Sequence, residues 1–157
     1  MSKSRKRVER AMAEAGLPGG VHETEGDCTT AALAAASLGV EVDRIAKSIL
    51  FLGANTNAVF LFVTAGTNSV EPERAAAIAG EPLLRPDAAT VRARTGFAIG
   101  GVSPLGHLCD ITAFFDPRLM DFQTVWAAAG TPRHVFEAEP DALRVAADAS
   151  EARFTTD

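Results

Sequence analysis

The chain has 157 residues, 47% of them hydrophobic and 22% charged, and a formal net charge of −5 at pH 7. That is enough chain for one domain with one sizeable core, and the acidic balance argues against tight, sequence-independent nucleic-acid binding, which needs many phosphate contacts. No apolar run approaches a membrane span, and the charged start MSKSRKRVER lacks the apolar core of a secretion signal, so a cytoplasmic location is expected.

Val8, Ala11, Met12 and Ala15 fall at helical spacing, and Gly16 stops the pattern. Lys3, Arg5, Lys6, Arg7 and Arg10 make this helix basic, which reads as a solvated face. Val21 to Thr24 suits a short strand. Cys28 and Cys109 stand far apart and are expected to be reduced. Thr29 or Thr30 can cap a helix over Ala31 to Leu38, ended by Gly39. Ile45 to Leu52 and Ala58 to Thr64 read as two apolar strands joined by G-A-N-T-N, an antiparallel pair buried on both faces. Pro72 opens a helix to Ala79, and Pro86 opens another to Thr95. After a glycine-rich loop come strands at Ile111 to Phe115, Val125 to Ala128 and His134 to Ala138. A last helix covers Asp141 to Ala147, and the tail from Ser150 reads as frayed. Helices and strands interleave without strict alternation, which favours an α/β domain with a mixed sheet over a doubly wound parallel one.

The loop from Gly96 to His107, G-F-A-I-G-G-V-S-P-L-G-H, carries four glycines and one proline in twelve residues. Glycines let a ligand approach the main chain, and Pro104 stiffens the loop. Lys47 lies in a strand whose two faces are both apolar. It is either a functional buried cation or a lysine that snorkels to water. Ser103 falls one residue away from a nucleophile elbow, and Pro104 after it lacks the N–H that such an elbow uses. The loop fits neither a phosphate-binding loop nor a dinucleotide fingerprint. His22, Cys28, His107, Cys109 and His134 have no paired zinc spacing. Asn68 suits a turn, and Trp126 suits the core. Phe51, Phe62, Val102 and Leu105 are candidates for lining a pocket.

Lys47 in I-A-K-S-I-L-F, Asn68 in A-G-T-N, the Gly96 to His107 loop and V-W-A-A-A-G-T-P-R together resemble the YbaK family from about Val21 to about Leu143. These are free-standing aminoacyl-tRNA editing proteins, related to the editing domain inserted in bacterial prolyl-tRNA synthetase. The resemblance implies a single α/β domain with a mixed, curved central sheet flanked by helices. It implies hydrolysis of the ester joining a wrong amino acid to the 3′-terminal adenosine of a tRNA, in the first place tRNA(Pro) carrying Ala, Ser or Cys. Lys47 matches the family's essential lysine. Gly100, Gly101, Val102, Ser103 and Pro104 match the element lying against the aminoacyl group and terminal ribose. Asn68 and His107 match pocket positions, and His134 falls where relatives carry a pocket-wall residue. The resemblance implies no metal or other cofactor. Its partners would be the 3′ CCA end of a mischarged tRNA and a synthetase, with no membrane.

The chemistry is compatible with these residues. Ester hydrolysis needs a positioned water and donors aimed at the developing oxyanion. The main-chain N–H groups of Gly100, Gly101 and Val102 are candidates, and Lys47 could hold phosphate or ribose or polarise the attacked group. No strong general base stands out, so a non-catalytic module that binds the aminoacyl-adenosine or CCA end is the alternative.

Overall fold

A computed structural model describes residues 2–156. Helix α1 (Lys3–Ala15) starts where the Ser2 hydroxyl accepts from Arg5 N–H, and it stops at Gly16 in the left-handed region. Strand β1 (Val21–Glu23) and helix α2 (Ala31–Leu38) follow, with Thr30 as the cap. Strands β2 (Ala46–Gly53) and β3 (Val59–Ala65) form the expected antiparallel pair, Lys47 facing Thr64 in the register. Helix α3 (Pro72–Ala79), the short strand β4 (Leu83–Leu84) and helix α4 (Ala88–Thr95) precede the glycine-rich loop. Strands β5 (Ile111–Phe115), β6 (Val125–Thr131) and β7 (His134–Ala138), helix α5 (Pro140–Ala146) and strand β8 (Ala149–Glu151) complete the order.

Two sheets result, one ordered β1-β7-β6 and one ordered β4-β2-β3-β5-β8. The larger is mixed: β2, β3 and β4 pair antiparallel, while β5 and β8 join in parallel. A single parallel bridge between Ile45 and Trp126 ties the two sheets together. Beyond that seam β2 and β6 part company. One face of the larger sheet packs Leu50, Leu61, Val63 and Phe115 into the main core with Val125, Ala127 and Phe136 of the smaller sheet. The other face packs Phe51, Phe60 and Phe62 under α3 with Phe154.

The structure corrects several boundaries. The tail is not frayed. Residues 149–151 form β8, Phe154 is fully buried edge-on to Phe62 at 4.9 Å, and Thr155 bridges Val70. One aromatic anchor in a polar stretch holds this segment down, since burying a phenylalanine contributes about 1.5–3 kcal/mol. Helix α4 begins after Asp87, whose carboxylate caps it, and not at Pro86. Strand β6 runs on to Thr131 through a register shift after Ala128, where Gly130 takes a φ of 94°.

Candidate active site

Where the sheets diverge lies a cavity of about 680 Å³. That falls in the range of small-molecule sites, roughly 300–1,000 Å³. Ile45, Ala46, Lys47, Ser48, Ile49 and Leu50 all line it. Consecutive residues of a strand point to opposite faces, so it is the edge of β2, and not one face, that opens onto the cavity. Gly53 N–H bonds Ala58 C=O at 2.9 Å, which marks the hydrogen-bonded pairs of the β2–β3 ladder. By alternation, the main-chain groups of Ser48 and Leu50 point away from β3. Strand β4 meets β2 at Leu52 and Gly53, and among the described residues no strand pairs with this stretch of edge.

Lys47, beside this edge, is partly buried and lines the cavity, and its Nζ donates to Gly66 C=O at 3.1 Å. Burial lowers its pKa, and the carboxylates of Asp43 and Asp116 partly oppose that shift. Gly66 is close to obligatory, because a Cβ there would collide with Val42 C=O. Asp43 accepts from the N–H and hydroxyl of Thr67 and pairs with Arg118 at 3.1 Å. Asp116, 2% exposed, accepts from Ala65 N–H at 3.0 Å and from Asn68 Nδ2 at 2.8 Å. Asn68 thus braces the turn behind Gly66 and Thr67, which line the cavity, and is not itself on the wall.

The glycine-rich loop supplies the facing wall through Ile99, Gly100 and Val102. Gly101 is turned to the scaffold: a Cβ there would stand 2.8 Å from Thr131 Cα. Ser103 is fully buried, and its Oγ accepts from Leu105 N–H at 3.0 Å. Pro104 and Leu105 are buried beside it. None of Gly101, Ser103, Pro104 and His107 lines the cavity. His107 packs edge-on to Phe97 with ring centroids 5.4 Å apart, and its Nε2 is buried with no partner. Burial lowers its pKa to about 4. Phe51 and Phe62 belong to the aromatic cluster under α3, and Leu105 to the main core, so of the four expected pocket liners only Val102 is on the wall.

Helix α1 is not a wholly solvated basic face. Its Arg7 donates to Gly96 C=O at 2.6 Å and to Gly106 C=O at 3.2 Å, and lies over the Phe97 ring. One guanidinium therefore ties both ends of the loop. Ser4 donates to Gly130 C=O at 2.8 Å, and Arg5 reaches His134 on the cavity wall. Sequence patterning missed this docking because the acceptors are main-chain carbonyls 89 and 126 residues away. It also missed Thr131, Ser48 and Trp126, which all line the cavity. Trp126 is partly buried at the seam with its Nε1 unpartnered. No aspartate or glutamate of the described residues lines the cavity; its ionisable residues are Cys28, Lys47, Arg85 and His134.

A family model described as an aminoacyl-tRNA editing domain matches residues 25–146. The chain is 35% identical over 125 residues to the uncharacterized protein YwhH of Bacillus subtilis strain 168, covering 78% of each chain. A crystal structure of a proposed trans-editing enzyme for prolyl-tRNA synthetase superposes with a TM-score of 0.91 at 37% identity, over 100% of this chain and 99% of that one. The crystal structure of the hypothetical protein APE2540 superposes with a TM-score of 0.88 at 27% identity, over 96% and 99%.

Proposed function

Because the chain belongs to the aminoacyl-tRNA editing domain family, we propose that it hydrolyses the ester of mischarged aminoacyl-tRNA, in the first place tRNA(Pro) carrying Ala, Ser or Cys. One observation carries the reading. Lys47, whose ammonium is anchored to Gly66 C=O, shares one cavity with Gly100 and Val102 of the glycine-rich loop. A bound 3′-aminoacyl adenosine would place its ester between a cation and a glycine loop.

In the reaction, water adds to the ester carbonyl carbon and loses a proton. The bond from that carbon to the ribose oxygen then breaks, and the ribose oxygen takes a proton. Free amino acid and a 3′-terminal hydroxyl result. Charge gathers on the carbonyl oxygen, and fixed donors in a site poor in water stabilise it more than bulk solvent does. With no carboxylate of the described residues on the wall, positioning and electrostatics carry the catalysis, and groups of the substrate itself can assist proton transfer. Ala31, Ala34, Ile49, Val91 and Val102 give small and branched apolar lining. Such a pocket discriminates one methylene by about 1–3 kcal/mol, which suits sorting small amino acids. The protein would grip the CCA end in the cytoplasm, with a synthetase as a source of tRNA affinity.

The test is release of radiolabelled amino acid from Ala-, Ser- and Cys-tRNA(Pro), with mischarged tRNAs of other specificities alongside. Turnover of at least one, abolished by Lys47→Ala, is expected. Absence of turnover with tight binding of a non-hydrolysable aminoacyl-adenosine analogue would favour the non-catalytic module, which the lack of a wall carboxylate also suits. Full activity in Lys47→Ala would remove the lysine from the mechanism.

A further inference from the structure

The wall formed by β6 and β7 carries a hydrogen-bond chain whose directions are set by the chemistry of its members. Arg5 Nη1 lies 3.4 Å from His134 Nε2. A guanidinium has donors only. The ring nitrogen it meets must therefore accept, and the proton of neutral His134 sits on Nδ1. Nδ1 stands 2.6 Å from Thr131 Oγ1, so at this contact the ring donates and the hydroxyl accepts. Arg133 N–H donates to the same oxygen at 3.1 Å. A threonine hydroxyl has two lone pairs. Both are occupied, and only its hydrogen is left to give.

Thr131 and His134 line the cavity together with Lys47, Gly100 and Val102. Thr131 is also held from behind. Gly101 lies so close to its main chain that an added Cβ would stand 2.8 Å away. The hydroxyl is thus fixed in place against the glycine loop and fixed in sense by the Arg5–His134 pair.

We propose that Thr131 is a one-way hydrogen-bond donor to the substrate, its hydroxyl aimed at an acceptor oxygen of the bound aminoacyl ester. Arg5 and His134 are positioning residues that keep it so. The inference rests on the ester-hydrolysis reading. It gives His134 a duty other than touching substrate, and it selects at this wall for a ligand oxygen over an ammonium group. An unrestrained threonine could serve either, because it can donate or accept.

The experiment combines kinetics with a spectroscopic signature. Single-turnover deacylation of mischarged tRNA is measured for wild type, Thr131→Val, Thr131→Ser and Arg5→Met. The His134 tautomer is read from ¹⁵N chemical shifts of histidine-labelled protein without substrate. Wild type is expected to show the Nδ1–H tautomer. Thr131→Val, nearly isosteric, is expected to lose about tenfold or more in kcat, the scale of a lost transition-state donor. Thr131→Ser is expected to recover most of it, and Arg5→Met to lower kcat while shifting His134 toward Nε2–H. An Nε2–H tautomer in wild type, or wild-type kcat in Thr131→Val, would overturn the proposal. If wild type hydrolyses no mischarged tRNA, the ester reading fails, and the proposal with it. The tautomer then still reports on the hydrogen-bond chain alone.

Discussion

His107 makes the fold acid-sensitive in a calculable way. Its ring is largely buried against Phe97, its Nε2 has no partner, and the nearby Arg7 guanidinium adds to the cost of a second positive charge. Burial is the largest cause, and together they lower the pKa from 6.5 to about 4. The folded state therefore favours the neutral ring. The stability this gives is fully present above the unfolded pKa and is lost as pH falls through about 6.5 toward 4. Linkage puts the loss between about pH 7 and about pH 4.5 at roughly 2 kcal/mol. Urea unfolding at both pH values measures the total, which includes every carboxylate. Repeating it with His107→Gln, which cannot titrate, isolates the histidine: the variant should lose less stability over the interval by roughly 2 kcal/mol. Equal losses in wild type and variant would refute the reasoning, and so would an NMR titration placing His107 near its unperturbed pKa.

Three further expectations concern the site. Lys47→Arg should restore little of what Lys47→Ala loses in the deacylation assay, because a planar fork cannot reproduce a point donor seated on Gly66 C=O. Gly101→Ala should lower stability by about 1–3 kcal/mol, as overpacking against rigid main chain does. It should also lower kcat, because the Thr131 backbone it would strike cannot yield without moving the cavity wall; chemical denaturation and single-turnover kinetics check both. Ser103 should resist fluorophosphonate labelling in the folded protein, since it is fully buried and its Oγ accepts from Leu105 N–H; stoichiometric labelling would revive a serine nucleophile.

Local chemistry made the helices and the central hairpin legible. Glycine stops, threonine and proline starts and two apolar runs are enough to place α1, α2, α3 and the β2–β3 pair. The β8 tail was not legible, because its order comes from distant partners: β8 pairs with β5, Thr155 bridges Val70 and Phe154 packs on Phe62. Lys47 stood out as a cation in a doubly apolar strand. What the sequence did not contain is the reason, namely that β2 has an open edge there. The glycine-rich loop was visible as an irregular, stiffened element, but the pattern could not tell which glycines face a ligand. Gly100 does border the cavity, whereas Gly96, Gly101 and Gly106 are small because Arg7, Thr131 and α1 press against them. Those pressures are tertiary and leave no periodicity. Asn68 read as a turn residue, and its N–H does close a turn on Ala65 C=O, but the side-chain bond to the distant Asp116 left no local signal.

The unpaired stretch of β2 at Ser48 and Leu50 separates what mutation can alter from what it cannot. Peptide groups are common to every residue, proline's missing N–H aside, so a ligand held by that edge would find the same donors and acceptors across most side-chain exchanges. The size and polarity around it are set by side chains, Ala34, Val91 and Val102 among them. A site built on a gap between strands can thus change which amino acid it admits while the frame that orients the bond to be cut stays constant.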